Sequence, residues 1–265
     1  MTRAEDIKSC CAAAYSSDAA ALLLGDSYHP GGAALTRRLA RLMSLRSGQR
    51  VADIASGPGA TARLLAAEYG VTVDGVDFAE HIVQRSRETS ERLGLADTIR
   101  FHVGDAERIP LPDNTFGAVV SECAFCTFPA KTAAAAEFQR ILRPGGYLGL
   151  ADVTVADTGL PEELRTLTAW VACVADAQTV ARYCQILDEA GLRVVHTESH
   201  DQALVRMIDQ IEARLHLVRM TRKNLIIAAG TDVDRVLEFI DLARHAVADG
   251  LLGYALVIAE KPIRP

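Results

Sequence analysis

From Arg50 onward the chain alternates short apolar runs with amphipathic stretches, and few folds accommodate that rhythm. Segments 51–54, 71–76, 99–103, 118–121 and 147–153 read as strands, each a compact aliphatic run. Segments 60–69, 80–94, 131–142 and 162–171 read as helices between or after them. A helical crossover returns each strand to the same end of the sheet, so the strands pair in parallel under helices on both faces. A helix near 178–190 and a strand at 192–198 follow. Two long helical patterns, 202–222 and 232–249, are parted by Ala229 and Gly230, and a strand-like run at 253–259 closes the chain.

Residues 1–47 are Ala- and Leu-rich and helical in pattern, broken by the turn at 26–32. No Pro/Gly/Ser-rich linker separates two domains. The expected organisation is a helical N-terminal segment, 1–47, over one α/β domain, 48–265, that carries a helical insertion at about 202–249. A chain of 265 residues, 49% hydrophobic and 23% charged, has the length and composition for such a core.

A net charge of −6 without a dense Lys/Arg run argues against a nucleic-acid partner. No stretch is apolar for long enough to span a bilayer. Glu5 and Asp6 stand where a signal peptide needs an unbroken apolar run, so the expectation is a cytoplasmic protein with no membrane partner. Thiols stay reduced there. The six cysteines, Cys10, Cys11, Cys123, Cys126, Cys173 and Cys184, then read as thiols or ligands rather than as a disulfide framework.

The run Val51-Ala52-Asp53-Ile54-Ala55-Ser56-Gly57-Pro58-Gly59-Ala60-Thr61 takes a strand through a Gly-rich turn into a helix. Glycines let backbone approach a ligand closely, and the exposed N–H groups at the helix start suit a carboxylate or phosphate. A dinucleotide would want a third glycine where Ala62 stands. The acidic residues that follow decide between cofactors. Asp77 ends the second strand, where a carboxylate can accept ribose hydroxyls. Asp105 follows the third strand, where it can accept an adenine amino group. Asp53 can orient the loop or face an ammonium group. Any one of these could simply make a turn or cap; the ordered set favours a site.

Together with Leu111-Pro112-Asp113-Asn114-Thr115-Phe116 and Leu142-Arg143-Pro144-Gly145-Gly146, this set resembles the class I S-adenosylmethionine-dependent methyltransferases. The resemblance is to the small-molecule type related to ubiquinone and menaquinone biosynthesis. It is tight over about 48–155 and looser elsewhere. It implies an α/β, Rossmann-like sheet, mostly parallel with an antiparallel last strand, under an N-terminal helical lid. It also implies S-adenosylmethionine held by Asp53, Ala55, Gly57, Gly59, Asp77, Phe78, Asp105, Ala106 and Glu122. Gly117 stands where the family usually has Asp, a departure expected to matter to structure rather than chemistry.

The acceptor should sit beyond the carboxyl ends of the strands. Ser121-Glu122-Cys123-Ala124-Phe125-Cys126 ends the fourth strand, and Leu160-Pro161-Glu162-Glu163 leads to Trp170 and Cys173. This arrangement resembles the arsenite methyltransferases, whose two cysteines match Cys123 and Cys173; Cys10 and Cys11 match a frequent N-terminal pair. That family's cysteine in the helix after the Gly loop is absent here. The resemblance implies trivalent arsenic held by Cys123 and Cys173, since thiolates suit a soft centre. Cysteines equally pack as core residues, and Cys123-x-x-Cys126 has no second pair to complete a zinc site. An ordinary organic acceptor, methylated at O, N or C, would instead call for a base, with Glu122 and His29 as candidates. A sensor of thiophilic ions without turnover is the third reading. His196, His200 and the arginines 206, 214, 219 and 222 read as structural or solvated. Nothing in the sequence distinguishes a monomer from a homodimer.

Overall fold

The structure, a computed structural model, describes residues 3–15, 17–25, 27–165, 174, 176–221 and 233–263. Helices α1 (Arg3–Tyr15), α2 (Asp18–Leu24) and α3 (Gly32–Leu42) lead into β1 (Arg50–Ile54). Then come α4 (Ala60–Tyr69), β2 (Thr72–Asp77), α5 (Glu80–Arg92), β3 (Ile99–Val103), β4 (Phe116–Glu122), α6 (Lys131–Ile141) and β5 (Leu142–Val155). The chain finishes through α7 (Val180–Glu189), β6 (Arg193–Ser199), α8 (Asp201–Thr221), α9 (Val233–Ala248) and β7 (Leu252–Glu260). The helix expected at 162–171 begins as a 3-10 turn, Glu162–Arg165. Residues 166–171, and the break at Ala229 and Gly230, lie outside the described residues.

The seven strands form one sheet in the order β3-β2-β1-β4-β5-β7-β6. β1 pairs in parallel with β2 and β4, while β7 runs antiparallel to both β5 and β6. A mostly parallel sheet with an antiparallel last strand is what the sequence leads one to expect. Helices flank both faces, so the middle strands are buried throughout; every residue of β4 from Phe116 to Ser121 is buried. Alternate side chains then feed two cores. Val51, Val73, Ala118 and Val120 meet Leu35, Leu39 and Leu65 on one face. Ala52, Ile54, Phe116 and Val119 meet Phe138, Ile141, Tyr183 and Leu187 on the other.

Strand order reverses between β1 and β4, so the loops leaving their carboxyl ends diverge and open a crevice. Both loops begin with a non-glycine residue in left-handed backbone, Ala55 at φ +58° and Cys123 at φ +54°. Such residues cost about 1–2 kcal/mol and cluster at functional sites. The turn after β4 is fixed by Phe125, fully buried with its ring 5.6 Å from Tyr183, 5.8 Å from Phe138 and 5.9 Å from Phe128.

Two side-chain anchors tie the N-terminal helices down. Glu198 of β6 accepts from Arg38 of α3 at 2.6 Å and contacts His196 and His200. The Arg38 guanidinium and the two imidazoles hold its carboxyl at about 2. Arg214, read from sequence as solvated, instead donates to the Leu23 carbonyl at 2.8 Å and joins α8 to α2. Gly25 makes room for it, since a Cβ there would lie 2.7 Å from the guanidinium. Gly117 is likewise structural, its missing side chain facing Arg143 at 3.3 Å.

Candidate active site

One cleft lies over the crevice between β1 and β4, and most of the expected residues meet there. Ala55, Gly57, Asp77, Phe78, Asp105, Ala106, Glu122 and Cys123 all line it. Asp53, at the end of β1, and Gly59, at the start of α4, are buried and do not line it. Gly57 and Gly59 need left-handed backbone, φ +50° and +77°. A Cβ at Gly57 would meet nothing within 4 Å, so the bare backbone faces open space, whereas at Gly59 it would strike the Phe101 ring at 2.6 Å. Asp77 braces the loop by accepting from the Gly57 amide at 2.8 Å and the Ala79 amide at 3.0 Å.

The carboxylates crowd one another. Asp53 is buried, and its Oδ2 has no hydrogen-bond partner. Burial, then the nearby carboxylates of Glu122 and Asp77, push its carboxyl well above the ordinary range. Burial also pushes Asp77 up, against the amides that favour its charged form. Glu122 accepts from Thr61 at 2.6 Å and from Thr36 at 3.0 Å, and His29 Nε2 lies 3.5 Å from it. The two residues expected as candidate bases are therefore in contact, both buried.

Residues 52–150 match the methyltransferase domain family. The chain is 28% identical to the 27-O-demethylrifamycin SV methyltransferase of Amycolatopsis mediterranei, over 86% of this chain and 83% of that one. It is 30% identical to the arsenite methyltransferase of Halobacterium salinarum over 60% of this chain, which spans only 41% of that relative. Among solved structures, a putative sarcosine dimethylglycine methyltransferase from Galdieria sulphuraria superposes with a TM-score of 0.77 at 22% identity, covering 88% of this chain and 86% of that one. The phosphoethanolamine N-methyltransferase 2 of Haemonchus contortus, solved with S-adenosyl-L-methionine, gives 0.81 at 18% identity, covering 97% of this chain and 60% of that one.

The chain carries a methyltransferase domain and is an S-adenosylmethionine-dependent methyltransferase.

The carboxylates of Asp77 and Asp105 line the methyltransferase's cleft, and the backbone at Gly57 faces open space. The N-terminal segment expected as a lid supplies one wall, although of the residues lining it only Cys11 stood out in the sequence. Helix α1 presents Lys8, Cys11, Ala12 and Tyr15 to the cleft, a stripe at i, i+3, i+4 and i+7 that its modest amphipathicity hides. Lys8 Nζ lies 2.7 Å from Asp105 Oδ2 and also bonds Glu107. Burial alone would lower the Lys8 pKa; its hydrogen bonds to the two carboxylates raise it instead. Thr36 and Thr61, which hold Glu122, carried no sequence signal beyond being hydroxyls near the turn and the loop.

The cysteines divide. Cys11 and Cys123 line the same cleft. Cys126 is buried in the core beneath, its amide donating to Asp152. Cys184 packs on α7 away from the site, and burial pushes its thiol up. Cys173 lies outside the described residues. Among the described residues no three His, Cys, Asp or Glu side chains are placed to hold a metal ion, and no helix is long and apolar enough to cross a membrane.

A second cavity of about 310 Å³ opens beside the cleft and shares Tyr15, Tyr28 and Cys123 with it. The two tyrosine rings lie 6.4 Å apart, centroid to centroid, between the two spaces.

Proposed function

We propose that the methyltransferase acts on a small organic acceptor bound in the cavity beside the cofactor cleft. The observation that carries this reading is continuity: the second cavity meets the first at Tyr15, Tyr28 and Cys123, where a methyl group could pass. Its volume also falls in the range of small-molecule pockets, ~300–1,000 Å³. S-adenosylmethionine supplies an electrophilic methyl group. Asp77 would accept the ribose hydroxyls, Asp105 the adenine amino group, and Gly57 would offer its open backbone beside Ala55, Phe78 and Ala106. Asp53 and Glu122 would favour the ammonium end through their negative charge, with Gly59 shaping the loop. The N-terminal helices would act as a lid that excludes water.

For an O–H or N–H acceptor, Glu122 and His29 would take up the proton. Both are buried, in contact, and one residue from the shared throat. The test is formation of S-adenosylhomocysteine with a panel of small phenols, alcohols and amines. Glu122→Gln should lower kcat by ~10²–10⁴-fold for such acceptors and remove the acidic limb of the pH profile. A variant that only weakens cofactor binding, with its pH profile intact, would assign Glu122 to the cofactor alone.

A second reading is favoured by Cys11 and Cys123, which both line the cleft: trivalent arsenic held by thiolates, with Cys173 as the further ligand that the resemblance implies. In-line placement would then supply most of the catalysis, since arsenic's lone pair needs no base. Methylated arsenic formed by the wild type and lost in Cys123→Ser would establish this reading. Arsenic-free turnover that survives Cys123→Ser would establish the first.

A further inference from the structure

The second cavity has a chemical character that narrows the acceptor, and the inference rests on the proposal that this cavity is the acceptor site. Its described lining contains no Asp, Glu, Lys, Arg, His, Asn, Gln, Ser or Thr. Its polar groups are the hydroxyls of Tyr15 and Tyr28 and the thiol of Cys123, all at the end shared with the cofactor cleft. The floor is Val153 and Leu252 from the sheet. The roof is built by the helices between β6 and β7, with Met207, Ile208 and Ile211 from α8 facing Phe239 and Ile240 from α9.

Those two helices are not apolar throughout. Asp209, Glu212, Asp241 and Arg244 make ion pairs along their other side. The apolar positions recur at helical spacing toward the cavity alone, which is the pattern of a helix built to cover a core. Yet the side chains do not close on one another. Packed cores hold few voids larger than a water, and a cavity of about 310 Å³ walled by carbon is far beyond that. Water gains little there because it needs polar partners, so an apolar ligand is the occupant that the walls reward.

A charged ligand fares worst. A buried carboxylate, phosphate or ammonium loses its hydration and finds no counter-charge among the described walls, a penalty that usually neutralises or expels the ion. We infer that the methyltransferase selects an uncharged, predominantly apolar acceptor that turns its single polar, nucleophilic end toward Tyr15, Tyr28 and Cys123. The solved neighbours named for sarcosine and phosphoethanolamine share the fold; this cavity is unsuited to acceptors of such charge. The tie between Arg214 and the Leu23 carbonyl pins α8 to α2, two elements that contribute to the cavity's lining. Met207, flexible and polarizable, lets the roof adapt to ligand shape.

The test compares skeleton-matched probes on the full chain saturated with S-adenosylhomocysteine: 1-naphthol against 1-naphthoate, and indole against indole-3-acetate. Calorimetry should show the neutral members binding with a negative heat-capacity change, and the anions at least ~10-fold weaker. Met207→Lys should lose the neutral probes while keeping its affinity for S-adenosylhomocysteine. Phe239→Leu, a gentler change, should alter the order of affinities among neutral probes without unfolding the chain. Equal or tighter binding of the anions, or no binding of either member, would overturn the inference. Selective neutral binding with no turnover of any neutral acceptor would uphold the cavity's selectivity and overturn its role as the acceptor site.

Discussion

Asp53 shows how a site can be built against the stability of its own fold. Its carboxyl is buried behind the Gly loop, close to Glu122 and Asp77, and is held above the ordinary carboxylate range. The folded chain therefore keeps a proton that the unfolded chain releases near pH ~3.9. Stability contributed by that difference is present at low pH and falls as pH rises through the raised value. Asp53→Asn removes the buried charge. Its melting temperature in the absence of cofactor should exceed that of the wild type near neutral pH and vary less with pH; thermal melts from about pH 4 to 8 read this directly. The same change weakens the negative field offered to an ammonium group. Affinity for S-adenosylhomocysteine should drop ~10-fold, equivalent to ~1.4 kcal/mol. A less stable variant with unchanged affinity would mean that Asp53 only shapes the loop.

At the scale of elements, α1 is tied to the site by charge as well as by packing. Its Lys8 reaches across to Asp105 and Glu107, residues about a hundred positions away, and is itself largely buried. Asp105 is also the carboxylate expected to meet the adenine, so the helix and the cofactor compete for one side chain or share it. Lys8→Met keeps the stem and removes the charge. Release of S-adenosylhomocysteine, followed by stopped-flow fluorescence of a labelled chain, should speed up several-fold and lose most of its dependence on ionic strength. Unchanged release would show that α1 does not gate the cleft. The other anchor is a charge–dipole contact without a counter-ion: α2 meets α8 through Arg214 and a backbone carbonyl, and salt should affect it less than the Lys8 ion pairs.

Across the whole molecule the site depends on a sheet whose second core is centred on Phe125. That ring is fully buried and touches residues of α6 and α7 as well as the turn that sets Cys123. Phe125→Ala should cost ~3–5 kcal/mol, measured as a shift of the urea midpoint with little change in slope. Loss of turnover in this variant should exceed what its unfolded fraction explains, because the β4 turn also carries the left-handed backbone of Cys123. If activity simply tracked the folded fraction, the aromatic cluster would be a stabiliser and not a support for the site.

What was legible in the sequence was set by local chemistry. Strand and helix periods are properties of neighbouring residues, so the order of elements was readable. The Gly loop announced itself because left-handed backbone and close approach demand glycine, and Asp77 and Asp105 because each follows a strand end within a few residues. Contacts between distant segments were not legible. His29 and Glu122 were separate candidates until the fold put them 3.5 Å apart. Lys8 carried no signal, and Arg214 read as solvated, because an i, i+4 pattern shows which face a residue occupies but not what faces it. The cavity roofed by α8 and α9 was invisible for the same reason: sequence shows that a helix has an apolar side, whereas an unfilled space arises only from how several such sides fail to meet. The sequence by itself determined the sheet, the loop and the cofactor class, which depend on residues close along the chain. Only the tertiary structure decided the second cavity, since its shape and the absence of charge from its described walls depend on the distances between elements.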